Sequence, residues 1–181
     1  MTPERPEGSL EEDKALRATI RERGTIRLIV TAITFVAWAA LVLTLVSRAV
    51  VPALGLIPLV VLLAGFEVIF ALHVGVERVG RFLQVHYETP GALPAWETTA
   101  MGLGKQPGGT GGLDALFGWV FAIATLLNFA TSALLTLGGL EGTFVELLVI
   151  GLLHLLFVIR LLNARRFAAG QRQRDLEWFA K

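Results

Sequence analysis

Residues 54–74 read LGLIPLVVLLAGFEVIFALHV, an apolar run in which Glu67 and His73 are the only ionisable side chains. About 20 predominantly apolar residues, rising about 1.5 Å each, cross a hydrocarbon core of about 30 Å. A helix satisfies its own backbone N–H and C=O groups in lipid, which an isolated strand cannot do. The stretch therefore reads as a transmembrane helix. Three further runs share its character, at 28–47, 113–137 and 144–162. Asp114, Glu146 and His154 are their only acidic or histidine residues, and no Lys or Arg interrupts them before Arg160. The expectation is an all-α, polytopic membrane protein with a four-transmembrane-helix bundle.

Composition agrees. Hydrophobic residues make up 54% of the 181 positions and charged residues 17%, with a mean hydropathy of +0.65. A soluble domain of this size covers its surface with about 25% charged residues. The first apolar run follows a charged segment, exceeds the length of a secretory h-region and lacks an Ala-x-Ala exit, so it reads as a retained signal anchor. The chain has no cysteine, which excludes a disulfide framework, a thiolate metal site and a thiol nucleophile. Arginine far outnumbers lysine among the basic residues, a bias that suggests a GC-rich bacterial genome and hence a bacterial inner membrane.

Basic residues orient the chain. Arg5, Lys14, Arg17, Arg21, Arg23 and Arg27 precede or open the first span. Arg78, Arg81 and Lys105 lie between the second and third, and Arg160, Arg165, Arg166, Arg172, Arg174 and Lys181 close the fourth and fill the tail. Only Arg48 falls on the other side. By the positive-inside rule both termini and the loop 75–112 are cytoplasmic. These bases are markers of topology near anionic headgroups, and with a net charge of +1 and acids interspersed they form no nucleic-acid stripe.

Three regions follow: a cytoplasmic segment 1–25, a transmembrane domain 26–163 and a basic cytoplasmic tail 164–181. In the first, Ser9 and Glu12 match a capping box for a helix ending near Arg23. Its Glu12, Leu16 and Ile20 share a face, flanked by Lys14, Arg17 and Arg21, as in an amphipathic helix lying on the membrane surface or on the cytoplasmic loop. Pro52 marks the first external turn, and Pro58 falls in the opening turn of the second span, where its missing N–H costs little. That span is expected to run on to about Glu88, where Pro90 and Gly91 break it. Val76, Val79, Phe82 and Leu83 then need apolar cover. Residues 89–112 read as a loop, with 102–112 a glycine-rich linker. Its Gly104-Lys105 lacks the Ser or Thr and the preceding strand of a phosphate loop. Residues 138–142 form a tight external turn. The tail reads as a basic helix with Trp178 and Phe179 as interfacial anchors, as is Trp119 on the third span.

Ionisable residues at membrane depth are costly, and each is a functional lead. Glu67 shares a face with Ala64, Ala71 and Gly75, small residues that admit another helix backbone, so it is expected to point into the bundle. His154, with Ile150, Gly151 and Val158 on its face, is expected to meet Glu67 there, both about 10 Å from the cytoplasmic ends of their spans. Asn128 lies with Ala124 and Ser132 on a third stripe nearer the outer leaflet. Glu67, His154 and Asn128 thus form the candidate intramembrane polar site, read either as a proton- or cation-handling pair or as hydrogen-bonded contacts that fix which helices meet. His73 and Glu77, four apart, share a face and are weak metal candidates, whereas a Glu77–Arg81 ion pair explains them more cheaply. A bis-His haem on His73 and His154 fails on depth, and Ser47 has no histidine on its side to activate it. The expectation is no enzyme activity and no cofactor. The chain reads as a structural or interaction subunit of a membrane assembly, in contact with the lipid bilayer and with itself or another membrane protein. The alternative is a small proton- or cation-linked transporter or channel subunit using Glu67 and His154.

Overall fold

The computed structural model describes residues 7–48, 51–88, 96–99, 115–137 and 144–181, with side chains from Leu10 in the first segment and from Gly118 in the fourth. Of these 96% are helical and none is in a strand, so the fold is all-α. Four long helices carry it: α1 (Glu7–Arg48), α2 (Leu56–His86), α3 (Ala115–Leu137) and α4 (Phe144–Phe179). Each contains a stretch long and apolar enough to cross a membrane. A single 3₁₀ turn, Pro52–Gly55, leads into α2. The expected linker 102–112 and external turn 138–142 lie outside the described residues.

Helix α2 is the axis of the bundle. Both α1 and α4 pack along it and, among the described residues, not on each other, while α3 closes the membrane part against α4 and α2. The buried face of α2 runs Leu59, Leu62, Phe66, Ile69 and Phe70, meeting Phe121 and Ala124 of α3 and Phe157, Leu161 and Ala164 of α4. Its centre is aromatic. Phe66 stands edge-on to Phe121 at 5.4 Å and to Phe157 at 6.0 Å, and Phe35 of α1 reaches Phe121 at 5.0 Å. Lipid tails are as apolar as these side chains, so close packing and internal hydrogen bonds, rather than expulsion of water, hold such helices together.

Close packing needs small residues, and glycine supplies them. A Cβ on Gly65 would collide with the side chain of Thr34, so α1 and α2 touch there nearly backbone to side chain. The Thr34 hydroxyl donates to the Val30 carbonyl at 2.7 Å, which leaves no unsatisfied polar group in the contact. At the other end of α2, a Cβ on Gly55 would strike the Ser132 hydroxyl of α3. The outward surfaces remain apolar, as at Leu28, Ile33, Val36 and Leu43 of α1, all exposed, as a lipid-facing surface requires.

Two expectations about the ends are corrected. No separate surface helix precedes the first span: α1 is continuous through Gly24. A lone glycine costs only about 1 kcal/mol in a helix interior. Thr19 and Thr25 donate to the Ala15 and Arg21 carbonyls within the helix, and the Arg23 guanidinium reaches across to the backbone of Gly75 on α2. The tail is likewise no separate helix but the far half of α4. Trp178 is exposed about 20 Å along α4 beyond Arg165. Phe179 packs edge-on against Phe82 at 5.5 Å. Together with the burial of Leu83, this gives the extension of α2 the cover that its apolar side demands.

Candidate functional site

The polar groups of the bundle fall into an upper cluster, a half-exposed pair and a lower charged network. In the upper cluster, Asn128 of α3 donates one amide N–H to the Gly55 carbonyl at 2.8 Å and meets His154 Nε2 at 2.8 Å. His154 Nδ1 lies 2.7 Å from the Ile150 carbonyl, one turn back on α4. Since a carbonyl only accepts, the proton belongs on Nδ1, and Nε2 accepts from Asn128. The imidazole is then neutral and both its nitrogens are satisfied. Thr125 and Ser132, buried on the same face of α3, donate to the Phe121 and Asn128 carbonyls. Asn128 thus ties three elements together: the Pro52–Gly55 turn, α3 and α4.

Glu67 belongs elsewhere. Its carboxylate pairs with Arg160 of α4 at 2.7 Å, not with His154, so the expected Glu67–His154 pair is replaced by two separate ones. Nor does Glu67 point into the bundle. Its side chain is 43% exposed and that of Arg160 35%, and Ala64 and Ala71 beside it are exposed too. In the sequence Arg160 stands only as one of the basic residues that mark topology at the end of the fourth span. Its guanidinium carbon stands over the Phe66 and Phe70 rings at 5.7 and 5.1 Å, a cation–π arrangement that turns it toward Glu67. The signal that could have found it is helical: α2 and α4 run in the same direction, so equal depth pairs Glu67 with Arg160.

The aromatic layer of Phe66 on α2, Phe121 on α3 and Phe157 on α4 lies toward the C-terminal ends of α2 and α4, about one turn past His154 and about two turns before Asn128. Beyond it begins the lower network, where the helices carry their charges. Arg27 of α1 lies 3.3 Å from His73 Nδ1. Arg81, 3% exposed, holds Asp175 through two nitrogens at 2.8 and 3.1 Å and Glu77 at 3.1 Å, and Arg172 adds a longer contact to Glu77 at 3.4 Å. Gln171 donates to the second oxygen of Asp175 at 2.7 Å. Burial would raise the Asp175 carboxyl, but hydrogen bonds from Arg81 and Gln171 and the charge of Arg81 hold it below the usual range. Of the two weak metal candidates, Glu77 is taken up by two guanidinium groups and His73 faces a third, surroundings that repel a metal cation.

At the end of α2, the Glu88 carboxylate accepts from the Glu97 and Thr98 N–H groups at 2.6 and 2.8 Å and from the Thr98 hydroxyl at 2.6 Å. It thereby caps the turn 96–99 and brings Glu97 against Gly80, where a Cβ would crowd its carboxylate. The Tyr87 hydroxyl donates to Glu12 of α1. No protein-family model matches the chain, and no curated protein or solved structure is significantly similar to it.

Proposed function

We propose that the chain is a structural or interaction subunit of a membrane assembly. It would sit in the bacterial inner membrane with both termini cytoplasmic, with its long helix ends as the surface offered to partners. The observation that carries this reading is how the intramembrane polar groups are spent. His154 is closed between Asn128 and the Ile150 carbonyl, and Glu67 is matched by Arg160, so each group links one helix to another. A proton relay needs a group free to exchange its partner, and the aromatic layer of Phe66, Phe121 and Phe157 stands between the upper cluster and the lower network. The lower network extends the same logic outside the membrane, binding α2 to α4 by Arg81–Asp175 and α1 to α2 by Arg27–His73.

The test is a flux measurement. Purified chain in liposomes loaded with a pH-sensitive dye should respond to an imposed proton gradient no faster than empty liposomes. Flux above that background, abolished by His154→Phe or Glu67→Gln, would restore proton handling and end the structural reading.

A further inference from the structure

Depth makes the Glu67–Arg160 pair unusual. His73, met by Arg27, marks the level at which basic residues enter α1 and α2, and Glu67 lies six residues further into the apolar run. At about 1.5 Å per residue the pair is about 9 Å inside that level. Ion pairs in hydrocarbon persist when they face protein, because lipid offers neither hydrogen bonds nor screening. Yet this pair is 43% and 35% exposed on the outer face of the bundle. The surface around it is built for close approach. Val60, Ala64, Glu67 and Ala71 repeat at helical spacing along α2, and both alanines are exposed.

We infer that the Glu67–Arg160 face is the interface of a homodimer. The inference rests on the reading of the chain as an interaction subunit and names its first partner, a second copy. Charge decides the occupant. Copies in one membrane share an orientation, so a two-fold axis between them stands along the membrane normal, and a two-fold contact brings the same patch against itself. The patch has one negative and one positive group side by side on parallel helices. Rotation by the two-fold sets Glu67 opposite the partner's Arg160 and Arg160 opposite the partner's Glu67. The four charges alternate in sign around the axis, each with two opposite neighbours, and the alanines let the helices come close enough to exclude lipid. A bare lipid tail satisfies none of these groups.

The chain has no cysteine, so single cysteines report contacts cleanly. In native membranes treated with a short bis-maleimide, Ala64→Cys and Ala71→Cys should give crosslinked dimer, while Val36→Cys and Leu43→Cys on the exposed face of α1 should not. With Ala64→Cys as reporter and two epitope tags, Glu67→Arg and Arg160→Glu should each lose the crosslink alone. Mixed in one cell they should regain it, since an all-positive copy then meets an all-negative one. Monomer at both alanine positions, or crosslinks at Val36 and Leu43 instead, overturns the interface, as does a crosslink that survives in each charge variant alone. None of these results touches the liposome test. Proton flux, conversely, would remove the structural reading without altering the crosslinks.

Discussion

Asn128 and His154 meet at 2.8 Å in the membrane, the amide of one donating to the imidazole of the other, while the second amide proton of Asn128 goes to the Gly55 carbonyl. Removing one member leaves one polar group of the other, His154 Nε2 or an Asn128 amide N–H, buried and unpaired, at a cost of about 1–3 kcal/mol. His154→Phe and Asn128→Leu should therefore each lower the melting temperature in detergent. The double variant should recover part of the combined loss, since no orphaned side chain remains. Because Asn128 also serves Gly55, its single substitution should be the more damaging. Strict additivity in the melting data would show that the two side chains do not act together.

The contact of α1 with α2 at Thr34 and Gly65 has no spare volume. Gly65→Leu should force α1 away from α2 and destabilise the bundle by about 1–3 kcal/mol, the usual range for overpacking. Gly65→Ala with Thr34→Ala should be milder than Gly65→Ala alone, since the Thr34 hydroxyl and methyl are the nearest atoms. Gly24, with open space about it, should accept Ala without loss. Thermal unfolding of the purified variants measures all three.

Beyond the apolar run of α2, Arg81 is the hub. Arg81→Met leaves Asp175 buried beside apolar surface with only Gln171 and the more distant Arg78 to answer it. Breaking a buried pair this way costs about 3–5 kcal/mol. The four apolar runs are unchanged, so insertion should be normal, and the loss should appear as faster hydrogen exchange and protease cutting over residues 165–179. Unaltered protection there would mean that the far halves of α2 and α4 do not depend on the pair.

The carboxylates of this region also set an acid limit. Asp175 titrates below its usual range, so it contributes stability that is complete above the unfolded value and lost as pH falls through the depressed folded one. Glu88 behaves alike: burial opposes ionisation, but the Thr98 hydroxyl and the Thr98 and Glu97 N–H groups outweigh it. Glu97 is the opposite case, raised by burial and by the charge of Glu88, so its ionisation works against docking as pH rises through its folded value. Exchange of the Glu97 and Thr98 amides should therefore slow slightly on mild acidification, as Glu97 takes up a proton. It should then quicken sharply only below the ordinary carboxylate range, when Glu88 is neutralised. Glu88→Gln should abolish the sharp acid phase.

Sidedness is open to direct measurement. In intact cells an impermeant thiol reagent should label Gly139→Cys, between α3 and α4, and should not label Ala169→Cys, exposed on the far half of α4. Labelling of Ala169→Cys from outside would reverse the orientation assigned from the basic residues.

Hydropathy and glycine placement made the four membrane-crossing stretches legible, because a membrane demands a long uncharged run of each helix whatever its neighbours are. Reading the polar site required more. Asn128, His154 and Glu67 stand out as costly residues in any apolar run, but their partners depend on how four helices are rotated and offset. The small residues Ala64 and Ala71 beside Glu67 suggested a close helix contact, yet within one chain that face is left open. Arg160 was hidden because an arginine near the end of a span also serves as a topology marker.

What the sequence determined by itself is the all-α class, the four runs able to cross a membrane and the extension of α2 beyond its apolar run, each a property of local composition and period. Tertiary structure alone decided that α1 continues unbroken from the charged segment into the membrane. It likewise decided that α4 covers Phe82 and Leu83, that His154 answers Asn128 and that Glu67 answers Arg160. The reason is geometric. Hydropathy is a sum along one chain, whereas a hydrogen bond or ion pair across helices requires two side chains at the same depth and on facing sides. Helix rotation and offset, set here by contacts such as Gly65 on Thr34 and Gly55 on Ser132, fix both.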